Sequence, residues 1–339
     1  MNAPVIAFFN NKGGVGKTSL AYHLAWMFAF QGQRVLAADL DPQANLTAAF
    51  LTEDELEQLW PDEGPRATIF GSISPLQRGL GDIGTPPVRV LENLPEARGE
   101  LALIPGDLQL SSFEDELSSE WPSCLDGKER AFRVISSFSR LVRTAAKRQR
   151  SDVILVDVGP NLGAINRAAL IASDFVVIPL APDLFSLQGL RNLGPALVAW
   201  RNEWKDRLVR NKVSELDLPA GHMLPLGYVV LGHGVRSSRP VLAYRRWVDQ
   251  IPGVFHSAVL GESVASRLSV DDDPYCLAQL KHYHSLLPLS HEAHKPVFAL
   301  RSADGVFGGH AAAVTAAYMD FDALARKITD LTTRELRTG

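Results

Sequence analysis

A glycine-rich segment near the amino terminus constrains the fold more than any other feature of this sequence. Residues 5–9 form a short apolar run, and the sequence NNKGGVGKTS follows it at once. Apolar residues then recur at helical spacing, at Leu20, Leu24, Met27 and Phe28. These patterns predict a strand, a tight loop and a helix, followed by a second strand at 34–38. Such a series is the first βαβ unit of an open parallel sheet.

Strand and helix patterns alternate along the rest of the chain. Apolar runs predict strands at 101–105, 153–158, 175–180, 226–231 and 254–260. Helical spacing predicts helices at 128–149, 162–172, 185–207, 239–251 and 311–336. The alternation predicts an α/β fold, with one doubly wound, mostly parallel sheet and helices on both faces, in a single domain over 1–339. Residues 52–100 are acidic and then proline-rich, which predicts a surface excursion with short helices.

The loop itself has the chemistry of a phosphate site. It reads Gly-Gly-Val-Gly-Lys-Thr over 13–18, with Asn11 where a standard P-loop has its first glycine. Consecutive backbone N–H groups in such a loop surround phosphates, and the following helix adds its positive N-terminus. Lys17 can reach the β- and γ-phosphates, and the Thr18 hydroxyl can ligate Mg²⁺. The predicted nucleotide-binding residues are Gly13, Gly14, Val15, Gly16, Lys17, Thr18 and Ser19. A glycine-rich turn with two solvated lysines is the less favoured alternative.

At these residues the sequence resembles the ParA/MinD family of deviant Walker-A P-loop ATPases, and its ParA branch most. The similarity continues in VLAADLDPQANLT at 35–47, LIPGDLQL at 103–110, VILVDVGPNL at 153–162 and IPLAPDLFSLQGL at 178–190. Residues 254–260 and 289–297 resemble the family's last strand and its nucleotide-base loop. The resemblance implies ATP and Mg²⁺ as cofactors and Mg²⁺-dependent hydrolysis of ATP to ADP and phosphate.

The resemblance also implies catalytic roles for Lys12, Lys17 and Asp41. Lys12 corresponds to the signature lysine, which reaches across an ATP-sandwich dimer to the partner's nucleotide. Asp41 corresponds to the residue that orients the attacking water. Phosphoryl transfer depends on neutralised charge and a positioned nucleophile, so these roles are physically reasonable. For Asp41 an alternative remains, a helix N-cap before residues 43–50.

The expected metal residues are Thr18, Asp39 and Asp157. Asp157 corresponds to the Walker B aspartate, which holds the water shell of the metal, and Asp39 is expected nearby. A carboxylate at the end of a buried strand beside the loop suits a magnesium site. The alternative for Asp157 is a hydrogen-bonded aspartate at the end of a strand.

Two departures from the family pattern concern the later part of the chain. Leu231 and Gly232 stand where the family often has Asn or Thr against the base, so adenine preference is less firmly expected than ATPase activity. Residues 262–286, like part of 52–100, are predicted as an insertion. This region leads into four histidines: His282, His284, His291 and His294. Their spacing is not a tight zinc pattern, so a polar loop near the base or a dimer seam is favoured over a metal site.

Charge restricts the possible nucleic-acid interaction. The formal net charge is −4, so any DNA contact requires a local basic patch. On the predicted helix 239–251, Arg239, Arg245 and Arg246 form such a face, which corresponds to the region where ParA-like proteins hold DNA. The basic residues of 128–150 instead suggest the solvated face of a core-packed helix.

The sequence favours an ATPase that dimerises on ATP, binds DNA without sequence preference and hydrolyses ATP when a ParB-like partner stimulates it. Such a protein segregates a plasmid or chromosome and is cytoplasmic and nucleoid-associated, with no membrane anchor expected. The alternative is a related ATPase that positions a protein cargo with the same nucleotide switch. A nitrogenase-reductase-like electron carrier is disfavoured, because the two cysteines, Cys124 and Cys276, lack a cluster-binding context.

Overall fold

Eight strands form one sheet in this computed structural model, which describes residues 3–92, 94–233, 245–262, 268–281, 283 and 285–338. The strands are β1 Val5–Phe8, β2 Val35–Asp39, β3 Arg89–Val90, β4 Leu101–Ile104, β5 Val153–Asp157, β6 Phe175–Leu180, β7 Leu224–His233 and β8 Cys276–Lys281. Their order is β3-β4-β2-β5-β1-β6-β7-β8. Every neighbouring pair is parallel except β3 and β4. The predicted fold class is therefore confirmed.

Helices cover both faces of this sheet. They are α1 Lys17–Phe30, α2 Asn45–Phe50, α3 Glu53–Leu59, α4 Ile69–Gln77, α5 Glu114–Ser123, α6 Glu129–Ile135, α7 Ser137–Gln149, α8 Ala164–Ile171, α9 Leu184–Leu208, α10 Ile251–Val254, α11 Leu287–Ala293 and α12 Gly309–Thr338. Residues 245–248 are also helical. Alternate residues of β1 enter two different cores, because successive side chains of a strand point to opposite faces. Val5 and Ala7 pack with residues of α4–α9, and Ile6 and Phe8 pack with α1 and α12.

The predicted strand at 254–260 is wrong. Residues 251–254 form α10, and a wider helical turn, Phe255–Leu260, continues it. Ile251, Phe255 and Val259 are buried at a spacing of four, so the apolar residues of this segment follow a helical period. The final parallel strand is instead β8, which lies inside the stretch 262–286 that the sequence assigned to an insertion.

Two other segments differ in detail from the prediction. The helix predicted at 128–149 is divided at Ser136, whose backbone angles of φ −88° and ψ 1° are not helical. The Ser136 hydroxyl donates to the Phe132 carbonyl oxygen at 2.6 Å, a local bond of the kind that bends helices. The 52–100 excursion has short helices as predicted, but Ile69 and Ile73 of α4 are fully buried in the core.

Helix α9, which follows β6, makes a close backbone contact with Ala258 near its middle. A Cβ atom on Gly194 would lie 1.8 Å from the carbonyl oxygen of Ala258, so only glycine fits there. Pro195, the next residue, cannot donate a backbone hydrogen bond within the helix. This helix begins just after the carboxyl end of β6 and packs near its midpoint against 255–260.

Candidate functional site

The glycine-rich loop connects β1 to α1 at the carboxyl edge of the sheet. Gly14 and Gly16 have φ values of 72° and 83°, in the left-handed region that favours glycine. Gly16 also lies close to β7, since a Cβ there would be 3.0 Å from Leu231 Cδ1. Among the described residues, no side chain caps the N-terminus of α1. Its first N–H groups are therefore left for an anion.

Asn10, which the sequence analysis did not single out, fixes the start of the loop. It is 1% exposed, and its Nδ2 donates to the Pro179 carbonyl oxygen at 2.7 Å. Its Oδ1 accepts a hydrogen bond from the Lys12 backbone N–H at 3.0 Å. Asn10 thereby connects the loop to the end of β6. The sequence feature that could have indicated its role is a polar residue directly after the apolar run 5–9.

Lys17 lies inside the loop with 7% of its surface exposed. Its Nζ donates to the Lys12 carbonyl oxygen at 3.2 Å. Burial lowers the pKa of Lys17, and the nearby Asp157 and Asp41 oppose that shift by favouring the ammonium. A bound phosphate would favour the charged form in the same way.

Asp39 and Asp157 are neighbours, because β2 and β5 pair with these two residues in register. Both side chains are fully buried. The Asp39 Oδ2 accepts hydrogen bonds from Thr47 N and Thr47 Oγ1, each at 2.7 Å. Burial, and beyond it the charge of Asp41, raises the pKa of Asp39 to about 7.

Asp157 differs from its neighbour in having no hydrogen-bond partner. Within the part of the chain that the structure describes, neither of its buried carboxylate oxygens has one. Burial, with the repulsion of Asp39 next in importance, raises the pKa of Asp157 well above its ordinary value. The Thr18 hydroxyl, which is close but outside good hydrogen-bond geometry, and the Lys17 ammonium partly oppose that shift. A buried carboxylate without partners is the environment that a cation or its water shell completes, so the residues present fit Mg²⁺.

Asp41 lies beyond the end of β2, at the mouth of the site. Its Oδ1 accepts a hydrogen bond from Gln43 N at 3.0 Å, and its carbonyl oxygen accepts one from Ala44 N at 2.8 Å. The residue at the N-cap position of α2 is Ala44, which has φ +52°. The N-cap interpretation of Asp41 is therefore wrong, since its carboxylate closes a turn before the helix.

A cleft of about 830 Å³ opens beside the loop. Loop residues and Asp41 line one side of it, and His291 and His294 line another. A second cavity, of about 470 Å³, lies toward β7 and β8 and is lined by Leu231, Gly232 and Lys281 among others. The passage predicted as the nucleotide-base loop, 289–297, thus contributes to the walls of both cavities.

His23 connects the first turns of α1 to that passage, and the sequence analysis missed it. Val297 N donates to its Nε2 at 3.2 Å, so its proton is on Nδ1, which donates to the Ser19 carbonyl oxygen at 2.6 Å. Its ring stacks on Phe321 with centroids 5.0 Å apart. Burial lowers the pKa of His23 to about 4, and the Ser19 hydrogen bond only partly offsets this.

Lys12 faces away from the interior of its own loop. Its ammonium forms an ion pair with Asp183 and lies 5.8 Å from the centre of the Phe185 ring. Phe185 is 69% exposed, and Leu184, the residue before it, is 49% exposed. Lys12 therefore lies beside an exposed aromatic ring at the start of α9.

The remaining predicted sites are only partly within the described residues. Arg245 and Arg246 are exposed, whereas Arg239 lies outside the residues that the structure describes. His282 and His284 also lie outside them, and the described residues hold no group of three or more His, Cys, Asp or Glu suited to a metal. Across the described chain, no helix is both long and apolar enough to span a bilayer.

The basic face of 128–150 is largely neutralised by ion pairs. Arg133 and Arg140 both pair with Asp82, and Arg143 pairs with Asp174. Arg130 pairs with Glu116. This agrees with the interpretation of α6 and α7 as core-packed helices with a solvated polar face.

A family model described as an AAA domain matches residues 3–209. A putative replication protein A of Rhizobium rhizogenes is 33% identical over 188 residues, which are 55% of this chain and 42% of that protein. A chromosome partitioning protein ParA of Caulobacter vibrioides (strain NA1000 / CB15N) is 29% identical over 208 residues, 60% of this chain and 66% of the relative. This chain therefore matches less than half of the length of the Rhizobium rhizogenes protein.

Solved structures match over nearly the whole chain. A crystal structure of a Corynebacterium diphtheriae protein has a TM-score of 0.66 and 26% identity, covering 97% of this chain and 98% of that one. The ATP complex of an McdA variant of Cyanothece has a TM-score of 0.59 and 16% identity, covering 98% and 97%. At 16% identity, the similarity to the McdA variant shows a shared fold only.

Proposed function

Because the chain belongs to the ParA/MinD family of P-loop ATPases, we propose that it is an ATP-switched partition ATPase. ATP would bring two subunits together, the dimer would bind DNA without sequence preference, and hydrolysis would release it. A ParB-like protein would stimulate that hydrolysis. The function would be segregation of a plasmid or chromosome, with the protein associated with the nucleoid.

The observation that best supports the nucleotide chemistry is that neither carboxylate oxygen of Asp157, buried beside the loop, has a hydrogen-bond partner of good geometry among the described residues. Thr18 and Asp157 would hold Mg²⁺, and Asp39 would contribute negative charge nearby. When bound, the ion would neutralise charge on the phosphates. Asp39 would remain fixed by Thr47, whose backbone and hydroxyl both donate to it.

The loop residues would bind and orient the phosphates. The N–H groups of 13–18 and the uncapped N-terminus of α1 supply directed donors. Lys17, held near the loop interior by its bond to the Lys12 carbonyl, would place its charge against the β- and γ-phosphates. Asp41, 5% exposed at the mouth of the cleft, would orient the attacking water.

Dimerisation is proposed to use the exposed surface around Lys12. Leu184 and Phe185, which follow Asp183 in the chain, are apolar and exposed, and burying them against a second copy would favour association. Lys12 would then leave its own subunit's surface and contact the partner's nucleotide. DNA would contact Arg245 and Arg246, with Arg239 on the same predicted helix.

The decisive experiment measures DNA retention on two unrelated duplexes with ATP, ADP or no nucleotide. We expect binding to both duplexes with ATP and much weaker binding in the other two states. DNA binding that does not depend on the nucleotide, or no DNA binding at low salt, would favour the alternative in which the same switch positions a protein cargo. Failure to bind ATP would reject both.

A further inference from the structure

Lys12 is engaged within its own subunit. Its ammonium pairs with Asp183, which lies 171 residues later in the chain, and its charge lies over the Phe185 ring. The Lys12 and Asp183 side chains are 27% and 37% exposed, so the pair is half-buried at the edge of the loop. A lysine in this arrangement is not free to reach another subunit.

Asp183 has a second partner that does not depend on Lys12. Its Oδ1 accepts a hydrogen bond from Ser186 N at 2.8 Å, which makes Asp183 the N-cap of α9. The contact with Lys12 uses the other oxygen, Oδ2. Release of Lys12 therefore leaves the cap of α9 in place, and the ion pair can open without loss of the helix.

We propose that Asp183 is a positioning residue that holds Lys12 in its own subunit until ATP and a second subunit compete for it. This inference rests on the proposed function, since it assigns to Asp183 the regulation of the contact that Lys12 would make in the dimer. The Asp183 carboxylate opposes dimerisation, because its ion pair must break first. A partly exposed ion pair of this kind can shift the equilibrium between monomer and dimer by up to about fivefold.

The Asp183→Asn variant removes the ion pair with Lys12 and keeps the N-cap of α9. Asparagine is as good an N-cap as aspartate, so α9 should begin at the same residue. The charge that attracts Lys12 is lost. Asp206→Asn, on the same helix but far along it, is the matched control for removing one negative charge from α9.

The first measurement tests the ion pair in the nucleotide-free monomer and does not depend on activity. Acetylation of each lysine by an N-hydroxysuccinimide ester is followed by mass spectrometry. Lys12 should react about three- to fivefold faster in Asp183→Asn than in the wild type or Asp206→Asn. Lys295, which pairs with Asp304 at 2.7 Å, should react at one rate in all three proteins. An unchanged Lys12 rate would overturn the proposal.

The second measurement follows dimer formation against ATP concentration. Asp183→Asn should dimerise at about a third to a fifth of the ATP concentration that the wild type needs, and Asp183→Glu, which keeps the charge, should restore the higher requirement. Weaker or unchanged dimerisation in Asp183→Asn would overturn the proposal, because Asp183 would then support the dimer or not affect it. If the wild type itself does not dimerise, the proposed function fails, while the acetylation rates still decide whether Asp183 holds Lys12.

Discussion

Asp39 and Asp157 are register partners on adjacent parallel strands, and both carboxylates are fully buried, yet they differ in what contacts them. Thr47 satisfies Asp39 through two hydrogen bonds of 2.7 Å. Within the described residues, Asp157 has no hydrogen-bond partner. The pair therefore combines one carboxylate that is fixed by the protein with one that is left for a ligand.

This difference predicts opposite effects of two conservative changes. Burial and the neighbouring Asp39 disfavour the ionised form of Asp157 more than Thr18 and Lys17 favour it. Asp157→Asn removes that cost, so the nucleotide-free protein should gain roughly 1–3 kcal/mol of stability. Its thermal midpoint should rise by a few degrees, while its Mg²⁺-dependent affinity for ATP falls. Asp39→Asn is the matched control and should lose stability, because one amide cannot accept all the hydrogen bonds that Asp39 accepts. Calorimetry with and without Mg²⁺ checks both, and a destabilised Asp157→Asn would contradict the assignment.

Lys17→Ala removes the charge expected to face the β- and γ-phosphates. Loss of a charge-assisted contact costs roughly 1.5–3 kcal/mol, so ATP affinity should fall about ten- to hundredfold. Isothermal titration calorimetry measures it directly. Lys12→Ala serves as the control and should bind ATP nearly as the wild type does, because its contact is proposed to be with the partner's nucleotide. Unchanged affinity in Lys17→Ala would reject the phosphate-site assignment.

Asp41→Ala should separate binding from hydrolysis. Without the carboxylate that orients water, turnover should fall at least about a hundredfold while ATP still binds. ATP should then support a long-lived dimer, which sedimentation velocity detects. Lys12→Ala should instead remain mostly monomeric with ATP. Equal dimerisation of Lys12→Ala and the wild type would show that Lys12 makes no contact across the interface.

The DNA proposal predicts a strong dependence on salt. Each neutralised phosphate contributes about −0.9 to the slope of log K against log salt, so Arg245 and Arg246 of two subunits account for about −3.6. Replacing both with Glu should abolish binding and leave ATP dimerisation intact. Replacing Lys147 and Arg148 on α7 with Glu is the control and should weaken binding little. The opposite ranking of these variants would move the DNA surface to α7.

His23 predicts a loss of stability in acid. Its pKa falls from about 6.5 in an unfolded chain to about 4 in the folded protein, so between these values only the unfolded chain binds the proton. Stability is complete above pH 6.5 and falls by roughly 3 kcal/mol as the pH drops to 4. His23→Gln should flatten that part of the thermal-midpoint profile. Parallel profiles for His23→Gln and the wild type would refute this.

The central part of the fold follows from local sequence. β1, β5 and β6 are continuous apolar runs because both of their faces are covered, and the glycines before α1 indicate the loop. The segment 254–260 is wrongly predicted because its helical period begins at Ile251, before the run, and the run taken alone is too short to distinguish a strand from a helix. β8 was missed because CLAQLK contains polar residues and its burial is incomplete.

The site could be predicted only where its residues are close in sequence. The loop and its expected carboxylates stand at the ends of recognisable strands. Asp183 meets Lys12 only in the fold, and His23 meets Val297 across 274 residues. Nothing in the local sequence indicates which of Asp39 and Asp157 is satisfied by a threonine, since that depends on how α2 packs after β2.

The middle of α9 has a mechanical consequence. Pro195 removes one backbone hydrogen bond from the interior of the helix, so α9 bends more easily there than elsewhere along its length. At the preceding residue, Gly194 lies directly against Ala258, with no side chain between them. The N-terminal half of α9, which Asp183 caps, and the segment 255–260, which follows Arg245 and Arg246, therefore meet where the helix bends most easily. Pro195→Ala would make α9 more rigid at this contact and would leave the cleft beside the loop, Arg245 and Arg246 unchanged.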